Sequence, residues 1–203
     1  IGSSEITNFI LLKSLAKLNK RLIISTGMCG INEIKKALNY LKENGQKNKI
    51  VLLHCNTAYP TPYSETNLLT IPKMKSFFKN EIGYSDHTIG NEVSFAAVAL
   101  GSSIIEKHFT LNKNFKGPDH KTSCDFYELK NLVEGVKKIR KTLKVKKLAL
   151  TKSEKKNHLL VKKFLVAKKF IKKGDKFTYD NITSKRTGGG IGANQIEKVL
   201  NKK

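Results

Sequence analysis

The chain has 203 residues and a formal net charge of +23, and 39% of its residues are hydrophobic, enough to form a buried core. No apolar run approaches the roughly 18 residues that a membrane-spanning helix needs. Cys29, Cys55 and Cys124 are widely spaced and form no CxxC pair, which indicates a reducing cytoplasm and argues against a disulfide framework or a zinc ribbon.

The positive charge has two explanations. It is typical of a surface that binds nucleic acid or an anionic membrane, and it is also typical of a lysine-biased composition. The only arginines are Arg21, Arg140 and Arg186, whereas proteins that read bases and phosphates favour the planar guanidinium. We therefore expect no nucleic-acid or membrane partner, and keep a basic nucleic-acid-binding module as the alternative.

An apolar β-branched run, followed by polar or glycine residues and a helical pattern, occurs four times along the chain. Nearly continuous hydrophobicity is typical of strands buried on both faces. After the second run Pro72 predicts a broken or late-starting helix, and Asp125 with Glu128 predicts a capping box after the fourth. The repetition predicts a parallel α/β sheet, either open and doubly wound or closed into a barrel. The predicted strands are 22–25, 50–54, 82–85 and 103–106.

The last quarter of the chain has a different pattern. Residues 144–157 are lysine-rich and lack periodicity, which predicts a linker. Short runs at 165–167, 171–175 and 182–183, separated by turn residues, predict a small β-rich domain over residues 158–203. A short helix is expected near the end, after a flexible run of three glycines.

Polar side chains follow each predicted strand, and the active sites of parallel α/β folds lie at the carboxyl ends of strands. His87 and His108 follow adjacent strands, with carboxylates nearby in sequence. Two neutral imidazoles suit a catalytic divalent metal, although each could instead cap its strand by bonding to backbone. His54 ends an apolar run and is predicted to be a buried core histidine.

Hydroxyl groups and a stiff loop complete the candidate set. Ser3, Ser25 and Ser85 lie at or near strand ends, where hydroxyls either hold a phosphate or cap a helix. Tyr59 belongs to a proline-rich loop that could hold a ligand or simply pack a ring. Asp119 is held at the tip of a second stiff loop.

Several strings occur together in one order and spacing: HCNTAYPTPY at 54–63, GYSDHT at 83–88, AAVALG at 96–101, EKHFTL at 106–111 and GPDH at 117–120. With GSSE at 2–5 and STGM at 25–28, they resemble the N-acetylneuraminate (sialic acid) synthase family, which includes the legionaminic and pseudaminic acid synthases. Residues from about 165 onward resemble the antifreeze-like (SAF) domain of that family.

The resemblance implies a (β/α)8 TIM barrel followed by the antifreeze-like domain. Residues 1–143 then correspond to the C-terminal half of the barrel, and residues 158–203 to a truncated antifreeze-like domain after the linker. Half a barrel leaves two open sheet edges. Since the first residue is also not methionine, we expect the chain to be part of a longer cytoplasmic enzyme.

The resemblance also implies an activity, the metal-dependent condensation of phosphoenolpyruvate with N-acetylmannosamine or a 2,4-diacetamido-trideoxyhexose. The products would be a nonulosonic acid and phosphate. His87 and His108 match the ligands of a divalent metal, expected to be manganese, with magnesium or cobalt as alternatives. Glu5 and Asp119 match catalytic acidic residues. The phosphoenolpyruvate contacts match Ser3, Ser25, Asn56, Thr57 and Ser85, with Asn56 and Thr57 competing for one position.

The sugar contacts implied by the resemblance are Tyr59, Asp119 and Arg186. In the family, the arginine reaches the partner subunit's site, so a homodimer is expected with the antifreeze-like domain acting in trans. The chain departs from the family pattern at Ser4, where glycine is commoner, and at Thr187, where proline is usual.

Overall fold

The structure is a computed structural model that describes residues 1–144 and 149–203. The chain divides into two compact units after Lys144. In the first unit, helices alternate with the strands of a parallel sheet whose spatial order, β1-β2-β3-β4, follows the chain. The elements are α1 (Phe9–Leu18), β1 (Leu22–Ser25), α2 (Ile31–Glu43), β2 (Ile50–Cys55), α3 (Thr70–Phe77), β3 (Glu81–Asp86), α4 (Glu92–Ala99), β4 (Ile105–Lys107) and α5 (Phe126–Thr142).

The sequence predicted the alternation and the parallel pairing, and both are observed. Helix α3 begins late, at Thr70, and Pro72 lies in its first turn, where a missing N–H costs no intrahelical bond. The capping box of α5 is present. The Asp125 carboxylate accepts from Glu128 N at 2.9 Å, and the Glu128 carboxylate accepts from Asp125 N at 2.9 Å.

The apolar core lies between one face of the sheet and the helices. Leu52, Ile82 and Tyr84 point from β2 and β3 into this layer and are almost completely buried. Leu12 of α1 and Leu41 of α2 meet them from the helix side. Since side chains alternate along a strand, the other face of each strand carries a separate set of residues. That second face carries the candidate site.

The second unit contains α6 (Lys152–Val161), β5 (Phe164–Ala167) and β6 (Ile182–Lys185), and the two strands pair antiparallel. A 3₁₀ helix covers Ala193–Lys198, where the sequence predicted a short helix. The predicted runs 165–167 and 182–183 lie in β5 and β6. The third predicted run, 171–175, forms a turn in which Lys172 N donates to the Asp175 carboxylate.

Part of the lysine-rich segment predicted as a linker is helical. Residues 145–148 of that segment lie outside the described residues, and residues 152–157 form the first part of α6. The Thr151 hydroxyl accepts from Glu154 N, and the Glu154 carboxylate accepts from Thr151 N, so a capping box starts the helix. The lysine-rich composition had obscured this local signal.

Two predictions from composition can be compared with the structure. Among the described residues, no helix combines the length and apolar character needed to cross a membrane. The three cysteines are all free, in agreement with the predicted absence of a disulfide framework.

Gly83 lies where β3 passes between its two neighbouring strands. A Cβ at this position would lie 2.5 Å from Leu53 Cδ2 and 2.8 Å from the Ile104 carbonyl oxygen. We expect Gly83→Ala to lower the free energy of unfolding by about 1–3 kcal/mol, because the backbone oxygen cannot move aside easily. Gly2→Ala is the matched control, since a Cβ there meets nothing within 4 Å. Equal stability of the two variants in urea unfolding would contradict the packing argument.

Candidate active site

A polar face forms at the carboxyl ends of the strands, on the side of the sheet opposite the helix-covered core. The parallel register places Cys55 beside Ser85, and Ser85 beside Glu106. The Ser85 hydroxyl donates to the Glu106 carboxylate at 2.7 Å. Two residues farther along the chain, alternation returns His87 and His108 to this same face.

The imidazoles of His87 and His108 lie against each other, with ring centroids 5.3 Å apart and planes at 88°. His87 Nδ1 lies 2.5 Å from the Asn56 carbonyl oxygen, which can only accept, so Nδ1 carries the proton and Nε2 keeps its lone pair. Burial lowers the pKa of His87, although the Asn56 carbonyl partly offsets this effect. His108 Nδ1 lies 3.8 Å from the Asp119 carboxylate.

This pair fits two positions in the shell of a divalent metal. Histidines that bind metals usually donate their second ring N–H to a carbonyl or carboxylate, which is the arrangement of His87 with Asn56. Within residues 1–144 and 149–203, no three histidine, cysteine, aspartate or glutamate side chains form a group that could hold a metal ion. Water, substrate or other protein residues would therefore complete the shell.

Tyr59 and Asp119, two of the three predicted sugar contacts, border on the histidine pair. The Tyr59 ring lies 4.0 Å from the His87 ring and 5.1 Å from the His108 ring, measured between centroids. Burial raises the pKa of Tyr59, and the Asp119 and Glu106 carboxylates add to the shift. The Asp119 loop is held by Ser123, whose hydroxyl donates to the Asp119 carbonyl at 2.8 Å.

Ser3 approaches the same face from the start of the chain. Its Oγ accepts from Gly27 N at 3.0 Å and lies 3.0 Å from Cys55 Sγ. A Cβ on Gly27 would lie 2.8 Å from both Ser3 Oγ and Cys55 Sγ, so glycine is what allows this approach. No site role was predicted for Gly27 or Cys55, because their proximity depends on a contact between distant parts of the chain.

Glu106 was also left out of the predicted site residues, although a signal for it existed. In a strand, residues two apart share a face, so a site containing His108 includes Glu106. The structure places the Glu106 carboxylate 2.7 Å from Ser85 Oγ, which in turn lies 3.4 Å from His87 Nε2.

The other predicted site residues have different surroundings. The Glu5 carboxylate accepts from Asn8 Nδ2 at 2.7 Å, and Thr57 is exposed. Ser25 is buried at the end of β1. Asn56 Nδ2 donates to the Glu65 carbonyl, while Asn56 Oδ1 is buried and accepts no hydrogen bond from the described residues. Arg186 is exposed in the second unit, directly after β6.

The chain matches the NeuB family over residues 1–147, and it belongs to that family. It is similar to the N,N'-diacetyllegionaminic acid synthase of Campylobacter jejuni, with 51% identity over 203 residues, which are all of this chain and 61% of that protein. It is also similar to the pseudaminic acid synthase of Campylobacter jejuni, with 37% identity over 204 residues, covering 100% of this chain and 59% of that protein.

Among solved structures, the N-acetylneuraminic acid synthetase of Leptospira borgpetersenii, crystallised with citrate, has a TM-score of 0.71 and 37% identity. The match covers 78% of this chain and 55% of that chain. The chain thus spans less than two thirds of the length of these relatives. The comparisons confirm the predicted synthase family and the α/β class with a parallel half-barrel sheet.

His54 lies on the core side of the sheet, as its position in the apolar run predicted. It is 8% exposed, and its Nε2 lies 2.8 Å from the Thr66 carbonyl oxygen, to which it donates as the neutral ring. Its ring packs beside Tyr84, with centroids 5.6 Å apart. Burial lowers the pKa of His54, and the bond to Thr66 offsets only part of that effect.

We expect an NMR titration to give His54 a pKa below the usual value of about 6.5. Because the folded-state pKa is depressed, the stabilisation from the neutral ring is fully present above pH ~6.5 and is lost as the pH falls toward and through the folded-state pKa. His54→Gln, which keeps a donor but does not titrate, should lose less stability between about pH 7 and pH 5. A His54 pKa at or above the usual value would contradict this prediction.

Proposed function

We propose that this chain is part of a nonulosonic acid synthase that condenses phosphoenolpyruvate with an N-acetylated aminosugar and releases phosphate. The observation that carries the proposal is the contact between His87, His108 and Tyr59 beside the Ser85–Glu106 pair. Membership of the NeuB family and the names of the relatives support the same reaction class. The alternative, a basic nucleic-acid-binding module, is supported by the net charge alone.

The hydroxyl side of the site suits an anionic substrate. Ser3 Oγ already accepts from Gly27 N, so its own O–H can turn from Cys55 to an oxygen of phosphoenolpyruvate. Ser85 is oriented by Glu106, which fixes the position of its oxygen. The excess of lysine over acidic residues would also favour the approach of a triply charged substrate.

The histidine side suits the sugar aldehyde. A divalent ion held by His87 and His108, with manganese expected, would act as a Lewis acid toward the aldehyde carbonyl. Asp119 is half exposed and offers its carboxylate to sugar hydroxyl or amide N–H groups beside that carbonyl. The methylene carbon of phosphoenolpyruvate would form the new C–C bond, and water addition to the oxocarbenium carbon would allow the C–O bond to phosphate to break.

The proposal includes the architecture predicted from the resemblance. Residues 1–143 would form the C-terminal half of a (β/α)8 barrel, and residues 158–203 would belong to an antifreeze-like domain of a cytoplasmic homodimer. The family match ends at residue 147, close to the division between the two units after Lys144. Glu106 is exposed on the polar face of this four-stranded sheet. In a closed barrel the polar face would line the interior, and the other strands would cover Glu106.

We expect His87→Ala and His108→Ala, introduced into the complete enzyme, each to lower turnover at least about 100-fold, because each removes a predicted metal ligand. The assay is phosphate release from phosphoenolpyruvate, with N-acetylmannosamine or a 2,4-diacetamido-trideoxyhexose and Mn²⁺. His158→Ala, on α6 of the second unit, is the control and should keep full activity.

The isolated 203-residue chain should be nearly inactive, since catalysis requires both substrates to be held in register. If the complete enzyme formed no condensation product with either sugar, that result would overturn the proposal.

The in-trans role of Arg186 has its own test. Arg186 is exposed and precedes a glycine run that lets backbone approach a ligand closely. Arg186→Ala should weaken sugar use and leave metal binding intact. Mixing Arg186→Ala subunits, which are defective in sugar use, with inactive His87→Ala subunits should restore sugar use in one of the two sites of each mixed dimer. Exchange of subunits without any recovery would show that Arg186 does not act across the dimer.

A further inference from the structure

We infer that Asp86 and Lys107, a buried ion pair on the opposite face of the sheet, are positioning residues that fix the spacing and orientation of His87 and His108. The nature of the reaction rests on the proposed function. The positioning itself concerns only the geometry of this chain and can be measured without turnover.

The pair lies directly behind the histidines. Asp86 and Lys107 are register partners of β3 and β4, and each precedes a histidine by one residue. Because neighbouring side chains point to opposite faces of a strand, the ion pair holds the two strand ends together on one face while the imidazoles meet on the other. The Lys107 ammonium lies 3.0 Å from the Asp86 carboxylate.

The ion pair makes hydrogen bonds to the residue that follows His87. Lys107 Nζ donates to the Thr88 carbonyl at 2.8 Å as well as to Asp86. Asp86 Oδ1 accepts from Thr88 N at 2.9 Å and from Thr88 Oγ1 at 2.7 Å. Ser94 of α4 donates to Asp86 Oδ2. Asp86 and Thr88, the residues on either side of His87, are therefore both hydrogen-bonded to the Lys107 side chain.

Stability alone does not account for charges at this place. The side chains of Lys107 and Asp86 are 4% and 0% exposed, and removing two charges from water is costly. An apolar pair of similar volume would often be as stable or more stable. The ion pair instead specifies the alignment of β3 with β4, because its hydrogen bonds are directional and are satisfied in one register of the strands only. Strand β4 has three residues, so its backbone pairing with β3 is short.

The experiment compares variants of the complete enzyme. Lys107→Met and Asp86→Asn each leave one buried charge without its partner and should lower the melting temperature. The double variant removes both charges and keeps the shape of both side chains, so we expect it to regain most of the lost stability. Lys113→Met is the matched control, because Lys113 pairs with Glu128 nearby but both side chains are about one-third exposed.

Positioning predicts that the stable double variant remains defective. Its turnover number should fall about 10- to 100-fold, the range typical of residues that orient metal ligands, while KM for the sugar should change much less. The ¹⁵N signals of the His87 and His108 rings should shift in the double variant and stay unchanged in Lys113→Met. Lys107→Arg, which keeps a cation able to reach Asp86 and Thr88, should restore most of the turnover.

A double variant with normal stability, full turnover and unshifted ring signals would overturn the inference, since the pair would then serve stability alone. Lys107→Arg that folds and is as inactive as Lys107→Met would also contradict it. If the parent enzyme forms no nonulosonic acid, the proposed function fails, and the ring signals and the affinity for Mn²⁺ still decide whether Asp86 and Lys107 position the histidines.

Discussion

Strands β3 and β4 pair in parallel at their carboxyl ends, and three successive levels of that pairing build the candidate site. Ser85 and Glu106 meet on the polar face, and Asp86 and Lys107 meet on the face toward α4. Beyond them His87 and His108 return to the polar face, where their rings lie in contact. A shift of β4 by one residue against β3 would exchange the two faces of β4, which would turn His108 toward the core side and Lys107 toward the polar face.

Glycines allow two close approaches that the site also depends on. Gly83 allows β3 to lie close to Leu53 and Ile104, and Gly27 allows Ser3 to approach Cys55. The helix side of the sheet supplies most of the apolar burial, so the polar face is free to carry functional groups. The same separation explains the two kinds of histidine. His54 is buried and bonded to backbone on the core side, whereas His87 and His108 share the opposite face.

Much of the fold of the first unit follows from local patterns. Apolar runs, helical periodicity and the Asp125–Glu128 capping box predicted the elements, and the strand ends predicted which histidines come together. The buried state of Lys107 could not be predicted, since a lysine in a chain this basic looks like a surface residue until its partner Asp86 is known. The Ser3–Gly27 contact was inaccessible for the same reason, because it joins segments that only the tertiary fold brings together.

The most direct test of the account is the location of a bound metal. Crystals of the complete enzyme grown with Mn²⁺ can be measured at the manganese absorption edge, and the anomalous difference map locates the ion without reference to activity. The account predicts one peak within bonding distance of His87 Nε2 and a ring nitrogen of His108. A peak bound to other residues, or full occupancy of an ion that contacts neither ring, would contradict it.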